Sequence, residues 1–221
     1  MGISKRSRTH AEANNRLKCK IMIAMVHGCA VYFYLMPDDV ANGPDESIET
    51  LQRTLQHEEK RRRGKLPETL FLQFDNCFRE SKNSYMLAYL SWLVERGVFK
   101  RIYLSYHPVG HTHNECDQVA SRIAIATARA NIGCRCDLVK VLQGCYTPKP
   151  HVETMDNVVA FKYAVNPEAD DNHRYPKSSI IKEAKGISGT HFFLIHKDLS
   201  GNAIFRAILT NNLGHMSLGP K

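Results

Sequence analysis

Between residues 105 and 123 the chain reads SYHPVGHTHNECDQVASRI, and His111, His113, Glu115 and Asp117 fall within seven positions of it. Imidazole and carboxylate groups at that density hold a divalent cation, exchange protons with a substrate, or cap a helix. His113 and Asp117 are four residues apart, so on a helix they share one face, about 40° apart. A neutral imidazole and a carboxylate so placed can grip one cation (Mg²⁺, Mn²⁺ or Zn²⁺), or simply pair with each other at the surface. Thr112 and Glu115 fit the S/T-x-x-E capping box, which gives Glu115 a structural reading beside the chemical one.

A second polar cluster lies upstream. The apolar run TLFLQFDNC, 69–77, has strand length and ends on Asp75 and Asn76, followed by FRESKN. In open α/β sheets ligands bind beyond the carboxyl ends of strands, where loops converge and helix N-termini point inward. Asp75 and the histidine-rich motif follow two such strand ends and are expected to be neighbours, with Asp75 joining His113 and Asp117 around a cation. Lys82 is a candidate phosphate contact. The plainer reading of 76–84 is a βα loop with Asn83 or Ser84 as the helix cap.

The elements that must position these groups follow from periodicity. KIMIAMV (20–26) and AVYFYLM (30–36), separated by HGC, read as a hairpin. SIETLQRTLQHEEKRRR places Ile48, Leu51 and Leu55 at helical spacing, with Asp45 as the expected cap and Gly64 and Pro67 as the stop. SYMLAYLSWLVERG is a second helix with Met86, Tyr89, Leu90 and Leu93 on one stripe, ended by Gly97. KRIYLSYH (100–107) is a strand, and NECDQVASRIAIATARANIG is a helix up to Gly133. Strands alternating with helices predict an α/β layer with some parallel pairing. From 146 the texture changes to short apolar runs between polar loops, which predicts a small, mostly β appendage. The expected organisation is a basic, disordered 1–15, an α/β domain over 16–145 and the appendage over 146–221.

Formal charge is +8, concentrated near the N-terminus and in EEKRRRGK, 58–65. That permits a polyanionic partner, with Arg61, Arg62 and Arg63 as contacts, although cations at a helix end also complement its dipole and stay solvated. No apolar stretch approaches eighteen residues, and no secretory signal is evident, so an intracellular chain without a membrane span is expected. Seven cysteines then default to free thiols, and Cys134-x-Cys136 with Cys145 and His151 fits no common structural zinc spacing.

The blocks LQFDNCFRESKN and GHTHNECDQVASRI, with about forty residues from Asp75 to Asp117, resemble the second half of an RNase H-like DDE-type transposase/integrase core. More narrowly, they are similar to an uncharacterised eukaryotic, transposon-derived domain family with Asp-Asn-Cys…Lys-Asn and Gly-His-Thr-His…Asp blocks. The resemblance covers roughly residues 15–135. It implies a layered RNase H-like sheet with crossover helices, and Asp75 as second and Asp117 (or Glu115) as third catalytic carboxylate. His111 and His113 would be auxiliary metal ligands or proton carriers. It further implies Mg²⁺ or Mn²⁺ as cofactor, DNA as partner and a nuclear location. The first carboxylate belongs on a central strand ahead of the hairpin, and upstream of Lys20 only Glu12 is acidic. The resemblance therefore implies an N-terminally truncated core with impaired or absent nuclease activity, whose unpaired strands invite a second copy or a host chain. Two other readings of the same residues are a non-catalytic, domesticated DNA- or protein-binding module and a structural metal site with no nucleic-acid role.

Overall fold

The computed structural model describes residues 18–40, 42–75, 77, 79–107, 115–159, 161, 187–207, 209–210 and 216–217. It is a mixed α/β protein with four α-helices among the described residues. The chain divides into two compact units, Met1–Val40 with Gln118–Asp156, and Ala41–Asp117 with Asn157–Lys221.

The first unit is built on the hairpin β1 (Cys19–Val26) and β2 (Ala30–Pro37), paired from Cys19 opposite Pro37 to Val26 opposite Ala30. The three-residue connection closes with the Cys29 N–H on Val26 O at 2.9 Å, and Gly28 takes the left-handed φ of 66° that such a loop requires. β5 (His151–Thr154) pairs parallel to β2, giving the order β1-β2-β5. A strand in the middle of a sheet and buried on both faces reads as an unbroken apolar run, as VYFYLM does. Val31, Phe33 and Leu35 form one core with Val119 and Ile123 of α3 (Glu115–Arg129) and Leu142 of α4 (Arg135–Gly144). Val119 and Ile123 are the buried residues of α3. The backbone N–H groups of Gly133 and Cys134 both donate to Asp137 Oδ2 at 3.2 Å, which starts α4. Cys134 therefore serves as a cap, and all seven cysteines are free thiols.

The second unit holds a four-stranded sheet in the order β3-β4-β6-β7: β3 (Thr69–Phe74), β4 (Arg101–Tyr106), β6 (Phe192–Lys197) and β7 (Ala203–Ala207). β3 and β4 are parallel, and the remaining pairs antiparallel. Parallel neighbours need a crossover, supplied by α2 (Ser84–Glu95), whose Met86, Leu87, Leu90 and Val94 are wholly buried. Leu90 and Leu93 pack with Ile102, Leu104 and Tyr106 of β4, Phe193 and Ile195 of β6, and Ile48, Leu51 and Leu55 of α1 (Pro44–Arg61). α1 starts one residue before Asp45. Gly43 is its cap and Pro44, whose fixed φ suits the first helical position, leaves Asp45 in the first turn instead of at the cap. Arg63 and Gly64 end it in left-handed conformations.

Strands from the expected appendage, 146–221, are built into both sheets: β5 into the first, β6 and β7 into the second. A short ladder of Leu209–Thr210 (β8) with Met216–Ser217 (β9) completes the described structure. The basic start, 1–15, lies outside the described residues. No helix among the described residues is long and apolar enough to cross a membrane.

Leu90 sits where helix and sheet close on each other, so Leu90→Ala leaves a cavity that the neighbours cannot fill. It should destabilise the chain by about 2–5 kcal/mol in urea denaturation. Phe71, 75% exposed on β3, is outside that core, and Phe71→Ala should shift stability by less than ~1 kcal/mol in the same measurement.

Candidate functional site

The register that places Phe74 opposite Tyr106 ends β3 and β4 at the same level. Asp75 and His107 leave the sheet together there, with the His107 N–H donating back to Phe74 O at 3.2 Å. Asp75 is exposed at this rim. Its Oδ1 accepts from the Ser81 hydroxyl at 3.2 Å and from the Cys77 N–H at 3.4 Å, so the carboxylate is anchored on one oxygen and open to solvent.

The loop beneath it is tightly folded. The N–H groups of Glu80, Ser81 and Lys82 converge on Cys77 O at 3.3, 3.0 and 2.9 Å. The buried Tyr106 hydroxyl donates to Ser81 O at 3.0 Å. Burial raises the Tyr106 pKa further, so the phenol keeps the proton that it donates. Asn83 is the helix cap, in extended backbone conformation, accepting from the Met86 N–H at 3.0 Å.

Lys82 lies inside this loop, not outside it. It is 1% exposed, with Nζ 5.4 Å from the centre of the Tyr106 ring. Taking the ammonium out of water holds its pKa below the ordinary 10.5, and the ring face returns part of the lost solvation. The sequence expectation of a phosphate contact at Lys82 falls on a side chain that the fold buries.

Glu115 and Asp117 are both exposed in the first turn of α3, where carboxylates favour the helix dipole. Between them Cys116 is held as a thiol, its pKa raised by burial first and then by Asp117 and Glu115. Asp75, Glu115 and Asp117 belong to the same compact unit, whose boundary falls within α3 just after Asp117. His111, His113 and Thr112 lie outside the described residues. Among the described residues no set of three His, Cys, Asp or Glu ligands tight enough to hold an ion includes Asp75. The exposed Asp75 carboxylate is an oxygen donor of the kind that Mg²⁺ and Mn²⁺ take.

The arginines of the α1 terminus are largely engaged. Glu58, almost fully buried, accepts from Arg61 Nε and Nη2 at 2.9 and 2.6 Å and from Arg62 Nε at 3.1 Å. Arg63 follows in the left-handed backbone conformation, with φ 57°.

Three groups at the rim escaped the sequence reading: His107, Ser81 and Tyr106. The in-step ends of two neighbouring strands were the available signal for His107. Nothing in the local sequence marks Ser81 or Tyr106, since their roles come from a contact between residues 25 apart.

The family described as a domain of unknown function, DUF7869, matches residues 9–207. No curated protein matches the chain, and no solved structure does.

The buried ammonium gives a pH-dependent prediction. Below the folded pKa of Lys82 the charged form is carried at a cost. As pH rises from that value towards 10.5 the folded state loses a proton that the unfolded state keeps, and the cost disappears. Lys82→Met should therefore raise the thermal midpoint near neutral pH, with the gain shrinking above the folded pKa. Asn83→Ala should lower stability by about 1 kcal/mol at any pH where the fold persists.

Proposed function

We propose, for a chain that belongs to the DUF7869 family, an RNase H-like, transposase-derived domain that acts on DNA phosphodiesters with a divalent cation. The observation that carries the reading is Asp75: an exposed carboxylate, fixed by Ser81 and the Cys77 N–H, at the carboxyl end of a parallel strand pair joined by a crossover helix. Ligand chemistry concentrates at that position in open α/β sheets. Asp75 and Asp117, with His111 and His113 as auxiliaries and Glu115 as the rival acid, would hold Mg²⁺ or Mn²⁺. The cation would activate water or a 3′-hydroxyl and neutralise charge on the phosphate. Lys82 acts as a positioning residue, a cation stored behind the loop that orients Asp75.

Among the described residues β1 and β3 each stand at an outer edge of their sheet, where backbone donors and acceptors are open to a further strand. Asp75 and Asp117 alone would hold a metal pair weakly, so turnover is impaired or absent unless a second copy or a host chain adds a ligand. The location that fits a DNA substrate in a eukaryotic cell is the nucleus.

A second reading, a non-catalytic DNA-binding module, is favoured by Asp75 belonging to no three-ligand set among the described residues. Incubation of supercoiled plasmid with the purified chain separates the two. Nicking that requires Mg²⁺ or Mn²⁺ and falls at least ~100-fold in Asp75→Asn and Asp117→Asn is the expected result. Salt-sensitive DNA binding without any cut, unchanged in both variants, would give the site to the second reading.

A further inference from the structure

The four-stranded sheet of the second unit buries one face against α2 and leaves a second whose composition is unusual. Register carries one row straight across it: Phe71 on β3, Tyr103 on β4, Leu194 on β6 and Arg206 on β7. The next row sets Arg101 beside His196. Phe71 and Tyr103 stack with ring centres 4.9 Å apart and planes 8° from parallel. Phe71 is 75% exposed, and both arginines are exposed with no ion pair among the described residues. No Asp or Glu occurs at any position of this face on the four strands.

A benzyl ring left in water beside a second ring and two uncompensated guanidinium groups is a poor arrangement for stability alone, since the exposed ring gains little from the core. It suits a ligand that carries flat apolar rings and negative charge together. Unpaired bases stack on aromatic side chains and on guanidinium planes, while the backbone phosphates meet the arginines. Duplex DNA keeps its base faces stacked internally and cannot use the rings. A second copy of this chain would bring arginines towards arginines with no acid on the face to offset them.

We propose that this face binds single-stranded DNA, with Phe71 and Tyr103 as the stacking platform and Arg101 and Arg206 as phosphate contacts. The choice of DNA over RNA rests on the reading given under Proposed function; the stacking of an unpaired strand does not. The face would hold an unpaired strand of the substrate whose phosphodiester is processed at the Asp75 rim.

Fluorescence anisotropy of the full chain with a labelled oligothymidine of about twenty nucleotides, longer than the ~4–16 that one small binding module covers, tests it. Phe71→Ala is expected to weaken binding roughly ten-fold while leaving duplex binding and the denaturation midpoint unchanged. Arg101→Ala with Arg206→Ala should lower the slope of log affinity against log salt by about 0.7 per arginine. That double variant carries the test should Phe71→Ala fail to fold. Oligothymidine affinity unchanged in Phe71→Ala or in the double variant overturns the proposal, as does equal weakening on duplex. Tight binding of oligouridine but not oligothymidine overturns the choice of DNA. Loss of self-association in Phe71→Ala, read by sedimentation, with no effect on oligothymidine assigns the face to a second copy and overturns it too. Asp75→Asn should bind oligothymidine as the unaltered chain does, so failure of the nicking assay and failure of this one remain separate results.

Discussion

The in-register parallel pairing of β3 with β4 is the constraint on which the second unit depends. It brings two strand ends to one level, so that Asp75 and His107 emerge side by side. It also obliges the chain to cross over between them, and α2 is that crossover. A slip of one residue in β3 would turn Leu70, Leu72 and Phe74 out of the core and Phe71 and Gln73 into it, because side chains alternate along a strand. The same slip would carry Asp75 away from Ser81. Core packing and site geometry are therefore fixed by one register, and the large apolar side chains on α2 hold it in place.

The distribution of basic groups follows from what each must neutralise. Net charge of +8 suggests a surface ready for polyanions, but the most conspicuous run of arginines is spent locally, with Arg61 and Arg62 folded onto the buried Glu58. An ion pair of that kind answers the cost of burying the acid more than it adds stability. Lys82 is withdrawn beneath the Tyr106 ring. The Arg135 guanidinium meets Asp156 at 2.6 Å, and Lys100 meets Glu68 at the same distance, both at exposed positions where such pairs contribute little. Arg101 and Arg206, on the strands, are exposed with no ion pair among the described residues. A count of charges along the sequence points to the helix end instead.

Local periodicity made the hairpin, β3, α2 and β4 legible, since each is a short run with a strong pattern bounded by turn residues. α4 was not, because RCDLVKVLQG follows α3 after only five residues and has a weak stripe with a single buried side chain, Leu142. The fate of 146–221 was illegible for a different reason: pairing partners are non-local, and nothing in HVET says that it will lie beside β2 instead of a neighbour in sequence. The position of Asp75 at a strand end was legible because a polar residue closes an apolar run there, although its contact with Ser81 was not. Lys82 could not be placed, since a lysine in a polar loop is exposed unless a distant residue covers it, and Tyr106 does so from 24 positions away in sequence.

Ser81 links the rim to the core. Its hydroxyl is within reach of the Asp75 carboxylate and of the Asp75 and Cys77 carbonyls, and its own carbonyl receives the Tyr106 hydroxyl. One buried residue thus ties the exposed acid to the core face of β4. A hydroxyl has a single proton to give, so the three acceptors within 3.3 Å of it compete, and the carboxylate, being charged, draws it most strongly. The hydroxyl that fixes the acid and the carbonyl that accepts from the Tyr106 hydroxyl belong to one residue, so the rim and the core face of β4 are held by the same short segment of chain.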